Sequence, residues 1–181
     1  MDIVSTLSFL LKEFNKQKIN YAIIGGLALQ SAGVARATSD IDMLVLIDDK
    51  EKVKETLKNI GYELKHESTD VLNFFSTGQY PGRVDFLIAH RKYGRSMLER
   101  AREVFLLGLF KAKVIVVEDK IGLKVQSISN DKERYFQDMS DIELLIRYNK
   151  DKVNFEIIKE YFKLFKKEEE LEKILNTIKN A

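Results

Sequence analysis

Asp40-Ile41-Asp42-Met43 places two carboxylates two residues apart in an otherwise apolar stretch. In a strand, residues i and i+2 leave the same face, so both acids point one way while Ile41 and Met43 point into a core. Neighbouring carboxylates repel, and a divalent cation relieves that repulsion. A third acid, Asp85, lies in Val84-Asp85-Phe86-Leu87-Ile88, a second apolar segment. Burying an acid there is unfavourable unless it is paired. Asp40, Asp42 and Asp85, drawn from two neighbouring strands, would make a hard oxygen cage for one or two Mg²⁺ or Mn²⁺ ions. Asp70 is the next candidate for the third ligand.

Upstream, the short apolar run Tyr21–Ile24 enters Gly25-Gly26, and a helix is expected from Leu27 to Ala32, ended by Gly33. Glycines let a backbone approach phosphate oxygens, and a helix N-terminus presents free N–H groups. The turn is therefore a candidate triphosphate cradle, with Arg36 and Thr38 close behind it. Arg36 has two readings, a phosphate contact or an ion pair with a local carboxylate. The turn is not a dinucleotide-binding fingerprint, because Ala28 and Ser31 stand where the second and third glycines belong. It also lacks the Gly-Lys-Ser/Thr ending of a Walker A loop.

Composition narrows the chemistry. The 181 residues contain no cysteine, which excludes disulfides, thiolate metal sites and cysteine nucleophiles. The two histidines, His66 and His90, are too few for a histidine-based metal centre and read as bystanders. Thirty basic residues against 28 acidic ones give a formal charge of +2, which neither demands nor forbids a nucleic-acid partner. No apolar run approaches the ~18 residues of a membrane span. The N-terminus, Met1-Asp2-Ile3-Val4, lacks a signal-peptide pattern, so a cytoplasmic location is expected.

These residues need a frame to hold them. Ile3, Leu7, Leu10, Leu11 and Phe14 repeat at helical spacing, predicting a helix over 3–14. A strand is expected over 41–47, then a helix capped by Asp48 and ended by Gly61. Strands are expected at 62–66, 71–76, 83–88, 104–107 and 113–117, with a helix over 96–102. Phe74, Phe75 and Phe86 read as core. From Glu118 onward the pattern is helical, and the charge run Lys166-Lys167-Glu168-Glu169-Glu170 reads as a solvated face or turn. The expectation is one domain over 1–181, an α/β body of about 1–117 with a helical portion of about 118–181. Its sheet should be mixed and mostly antiparallel, with flanking helices.

Gly25-Gly26, thirteen residues, then Asp40-Ile41-Asp42 resembles the nucleotidyltransferase signature of the polymerase-β superfamily. Arg36, Thr38, Asp40 and Asp42 resemble more closely the AbiEii-like and minimal nucleotidyltransferase group. That group carries a downstream helix with a lysine and then an Asp-x-x-Asp-hydrophobic segment. Lys124 in Ile121-Gly122-Leu123-Lys124-Val125 and Asp138-Met139-Ser140-Asp141-Ile142 are similar to these elements. The larger AbiEii toxins have longer C-terminal parts. The resemblance, spanning about 20–147, implies metal-dependent transfer of a nucleoside monophosphate from an NTP. It gives Asp40, Asp42 and Asp85 to the metal, Lys124 to the triphosphate and Asp141 to the acceptor's proton. The acceptor it leaves open: a tRNA 3′ end, a protein hydroxyl, such as one on an antitoxin partner in a toxin–antitoxin pair, or a small molecule. The competing reading is a non-catalytic nucleotide-binding or protein-interaction module that keeps the fold.

Overall fold

A computed structural model describes residues 3–179. Met1, Asp2, Asn180 and Ala181 lie outside the described residues, so the start of the acidic N-terminus is among the parts not described. The chain divides into two compact units, one of residues 1–31 and 36–115, the other of residues 32–35 and 116–181.

The first unit is a seven-stranded sheet with helices packed on it. In chain order it comprises α1 (Ile3–Lys16), β1 (Tyr21–Ile23), α2 (Gly25–Ser31), β2 (Ile41–Leu46), α3 (Lys50–Asn59), β3 (Glu63–Glu67), β4 (Val71–Ser76), β5 (Gly82–Ala89), α4 (Lys92–Arg100), β6 (Arg102–Leu106) and β7 (Phe110–Val114). The strands lie in the order β3-β4-β5-β2-β1-β7-β6. β2 runs parallel to β5 and β1 parallel to β7, and the other pairs are antiparallel. The sheet is thus mixed and mostly antiparallel, as expected from the sequence.

The apolar stripe of α1, made of Leu7, Leu10, Leu11 and Phe14, is buried against Met43, Phe74 and Phe86 of the sheet. Phe14 and Phe86 have ring centroids 6.1 Å apart, and Phe74 meets Phe86 edge-on at 5.9 Å. Phe75, expected in the core, is 42% exposed. Strand alternation is the reason: Phe74 faces inward, so its neighbour faces out.

Several boundaries differ from expectation: α4 begins at Lys92 and not at 96, β6 and β7 begin two and three residues early, and other ends shift by one or two residues. A short 3₁₀ turn over Ile47–Asp49 precedes α3, so Asp49, not Asp48, holds the N-cap position. Its carboxylate accepts the Asn20 N–H at 2.9 Å and pairs with Lys52 at 2.9 Å. The last strand ends at Val114, and Val117 already begins a helix. Glu118 and Asp119 in that first turn favour a helix start, because they face the positive end of its dipole. This outweighs the strand preference of Val116 and Val117.

The second unit is helical: α5 (Val117–Asn130), a 3₁₀ turn at 132–134, α6 (Tyr135–Asn149), α7 (Phe155–Leu164) and α8 (Glu168–Lys179). Gly122 lets α7 come close to α5, since a Cβ there would lie 2.8 Å from the Tyr161 ring. The Tyr161 hydroxyl donates to Asp119 at 2.8 Å. Asn154 caps α7 through its side chain, and its own N–H donates to Glu118 at 2.6 Å.

Candidate functional site

The first unit assembles its site at one end of the sheet. Because β2 and β5 are parallel and in register, Asp42 stands directly beside Asp85. Asn73 on β4 is Asp85's partner on the other side. Three neighbouring strands therefore present Asn73, Asp85 and Asp42 in one row. Asp40 sits one residue ahead of β2, not within it, and accepts from the Ser39 hydroxyl at 3.0 Å.

Asp85 is not left bare. It accepts from Asn73 Nδ2 at 2.8 Å, and Arg83 Nε lies 2.9 Å from its Oδ1 and 2.7 Å from its Oδ2. The Arg83 guanidinium also feels the charges of Asp40 and Asp42. One cation thus serves three carboxylates. Asp42 has the least support: burial, then the charges of Asp85 and Asp40, push its carboxyl up to about 6. Arg83 and the Gly26 N–H oppose that shift without cancelling it. Excess negative charge on hard oxygen donors is the chemistry that suits Mg²⁺ or Mn²⁺. Among the described residues, no three acidic or histidine side chains already stand close enough to hold an ion. The donor set fits a divalent ion once Arg83 and Asn73 release oxygens of Asp85.

The glycine pair has a geometric reason to be glycine. Gly25 has φ +62°, and a Cβ there would lie 2.0 Å from Asp42 Oδ2. A Cβ on Gly26 would lie 2.6 Å from the Thr38 side chain, whose hydroxyl donates to the Asp40 carbonyl at 3.0 Å. Gly25 and Gly26 form the first turn of α2, one residue pair earlier than the helix start expected from the sequence. Gly25→Ala should therefore displace the Asp42 carboxylate and add ~1–2 kcal/mol of left-handed backbone strain. The expected result is a loss of nucleotide affinity larger than the loss of thermal stability, read by calorimetry and melting. Wild-type affinity in this variant would contradict the close approach.

Arg36 lies on the loop between α2 and β2. Its carbonyl accepts from Gln30 Nε2 at 2.7 Å, and among the described residues no carboxylate pairs with its guanidinium. Asp70 pairs with His90 at 2.5 Å and lies three residues along the sheet from the Asn73 row. It does not join that row.

The second unit holds the other expected residues. Lys124 on α5 lies 2.7 Å from Asp138 and 2.6 Å from Asp141, both on α6. Its side chain is 14% exposed, so it is no ordinary surface lysine. Asp138 also pairs with Arg134 at 3.1 Å. Burial pushes the Asp138 carboxyl up, but Arg134 and Lys124 outweigh it and hold it below its usual range. Asp141 Oδ2 contacts Lys124 without hydrogen-bond geometry and is otherwise an unbonded buried acceptor. At the start of α5, Lys120 is also buried, and desolvation lowers its pKa to about 8 against the pull of Glu118 and Asp119.

Arg83 and Asn73 escape sequence reasoning. The available signal was the i, i+2 spacing of Arg83 and Asp85; Asn73 needed the register of β4 on β5. No helix among the described residues is long and apolar enough to cross a membrane.

A family model described as "Nucleotidyl transferase of unknown function (DUF2204)" matches residues 4–180. Among solved structures, the antibiotic-resistance factor ANT(2'')-Ia is similar at TM-score 0.69 and 13% identity, over 92% of this chain and 93% of that one. Lincosamide antibiotic adenylyltransferase LnuA, in its lincomycin-bound crystal structure, is similar at TM-score 0.51 and 20% identity, over 64% of this chain and 81% of that one. A nucleotidyltransferase structure from Thermotoga maritima is similar at TM-score 0.52 and 16% identity, over 76% and 93%. At these identities the likeness is one of fold. No curated protein matches the chain in sequence.

Proposed function

From the premise that this chain belongs to the family of nucleotidyl transferases of unknown function, DUF2204, we propose that Asp40, Asp42 and Asp85 form its metal-binding active site. The observation that carries this reading is the in-register pair Asp42–Asp85, with Asp42 lying against Gly25 and Asp40 sharing the same counter-ion. A bound Mg²⁺ or Mn²⁺ would neutralise phosphate oxygens and align an in-line displacement.

The chain's own residues do the rest. Gly25 and Gly26 give the triphosphate a turn without Cβ atoms, beside the N–H groups that open α2. Arg36, with no carboxylate partner among the described residues, supplies a cation for phosphate, and Thr38 fixes the Asp40 backbone. The acceptor oxygen forms a bond to the α-phosphorus, the α–β bridging bond breaks, and pyrophosphate leaves. The acceptor's proton passes to a carboxylate, and Asp141 is proposed for it from the family resemblance, its Oδ2 being buried with the Lys124 ion pair. Lys124 serves this arrangement by pairing with Asp141 and Asp138 and by helping to hold the Asp138 carboxyl below its usual range; a direct triphosphate contact would require it to leave one of them. The acceptor is a hydroxyl, and label transfer offered RNA, protein (an antitoxin included) and aminoglycoside pools separately identifies which.

The metal-bridged reading has a direct test in nucleotide titration. Calorimetry with ATP, CTP, GTP and UTP should show binding with Mg²⁺ or Mn²⁺ and none in EDTA. Equal affinity in both conditions would sink the metal-bridged site.

A further inference from the structure

Arg83 stands where a cation is wanted at the proposed metal site. It lies two residues before Asp85 on β5, so both side chains leave the same face of the sheet. Its Nε is 2.9 Å from Asp85 Oδ1 and 2.7 Å from Oδ2. Asn73 Nδ2 donates to Oδ1 as well, at 2.8 Å. Both oxygens of Asp85 therefore already face a donor. Continuing the parallel register of β2 and β5 back by one residue sets Arg83 beside Asp40. The guanidinium feels the charges of Asp40 and Asp42 in addition to that of Asp85. Among the described residues, no carboxylate other than Asp85 pairs with it.

A divalent ion and this guanidinium compete for the same oxygens. Mg²⁺ binds carboxylate oxygens at about 2.0–2.1 Å. An ion on Asp85 would crowd the Arg83 Nε, and two cations that close repel. The Arg83 side chain is 52% exposed, so moving it opens no hole in the core. Its tether to β5 keeps it on the face that carries Asp40, Asp42 and Asp85. Three carboxylates and one guanidinium leave an excess of negative charge, which one divalent ion balances. A triphosphate then brings new negative charge to that face. The displaced guanidinium, with its planar fork of donors, matches phosphate oxygens.

We infer that Arg83 is a stand-in cation, which holds Asp85 until a metal ion arrives and then moves to the triphosphate. The inference rests on the reading of Asp40, Asp42 and Asp85 as the metal site, and it adds Arg83 to the nucleotide contacts. The consequence is coupling between the two ligands. Metal alone must displace Arg83 and offers it no new partner, whereas metal with nucleotide does. Each ligand therefore strengthens the binding of the other. An arginine that only tied strands together would give no such coupling.

Two titrations of the full chain test this. In the first, free Mn²⁺ is followed by electron paramagnetic resonance without nucleotide. Arg83→Gln should bind Mn²⁺ about tenfold more tightly than wild type, because the competing cation is gone. In the second, calorimetry follows the α,β-methylene analogues of ATP, CTP, GTP and UTP at saturating Mg²⁺. Arg83→Gln should bind them about tenfold to a hundredfold more weakly. Lost folding would weaken both affinities, so opposite signs in one variant separate the two causes. An Arg83→Gln protein in which either affinity is unchanged, or both are weakened, would overturn the inference. Asp85→Asn, measured alongside, should bind Mn²⁺ more weakly than wild type. If it does and Arg83→Gln shows no gain, only the role of Arg83 falls. If Asp85→Asn binds Mn²⁺ like wild type, the metal site falls and this inference with it.

Discussion

Asp42→Asn is expected to lower nucleotidyl transfer by ~10²–10³-fold or more, the scale on which a site loses a preorganised charge at its reacting centre. The same change should make the metal-free protein more stable. Asp42 carries a carboxyl pushed up to about 6 by burial, by Asp85 and by Asp40. A carboxyl whose folded pKa lies above its unfolded value contributes stability that is present below the unfolded pKa. That stability is lost as pH rises through the folded pKa, here between about 4 and 6. At neutral pH the metal-free protein therefore holds an unfavourable charge that asparagine removes. Residual exposure screens the effect, so about 1 kcal/mol is expected, or ~2–4 °C in melting temperature for a chain of this size. Melting curves in EDTA at pH 4 and pH 7.5 check the sign. The variant's advantage should appear at pH 7.5 and vanish at pH 4. An advantage that is larger at pH 4 would contradict the assigned environment.

Lys124→Ala has the second large effect, and it falls on stability. A lysine on a helix most often faces solvent, where the fold tolerates its loss. The structure instead places it between two buried acids, at 2.7 and 2.6 Å. Removing one partner of a buried ion cluster leaves charge uncompensated, typically about 3–5 kcal/mol. Arg134 still serves Asp138, so ~3 kcal/mol is expected. Lys124→Met should be nearly as destabilising, because the missing element is charge and not volume. Adding Asp141→Asn to Lys124→Met should recover part of the loss, and this non-additivity identifies the pair. A Lys124→Ala protein that melts like wild type would return the residue to the surface.

Much of the proposed site's geometry was legible because it rests on local periodicity. Asp42 and Asp85 each interrupt an apolar strand, and two-residue alternation tells which face each leaves. The Gly25-Gly26 turn follows from a strand meeting a helix, and its closeness to Asp42 gives that turn a steric reason. What needed three dimensions was pairing across strands. Sequence separation says nothing about whether β2 lies beside β5, so neither the Asp42–Asp85 register nor the Asn73 contact could be read. Arg83 was overlooked for a related reason, since a lysine or arginine at a strand end most often faces solvent. Element ends moved by a few residues where preferences conflict, as at Val116-Val117, where β-branched residues precede an acidic helix start.

The helical unit was legible as helices, and its candidate site residues only through the family resemblance. Lys124, Asp138 and Asp141 have spacings that fit many solvated helix faces. The closeness of α5 and α6 turns them into a buried cluster.

The central claim is that Asp42 and Asp85, adjacent through strand register, form one catalytic metal site. It is tested most directly by transfer of label from α-labelled NTP to acceptor in the presence of Mg²⁺, comparing wild type with Asp85→Asn and Asp70→Asn. The account predicts that Asp85→Asn loses transfer by ~10²-fold or more while remaining folded, and that Asp70→Asn transfers like wild type. Transfer that survives Asp85→Asn and is lost in Asp70→Asn would contradict it.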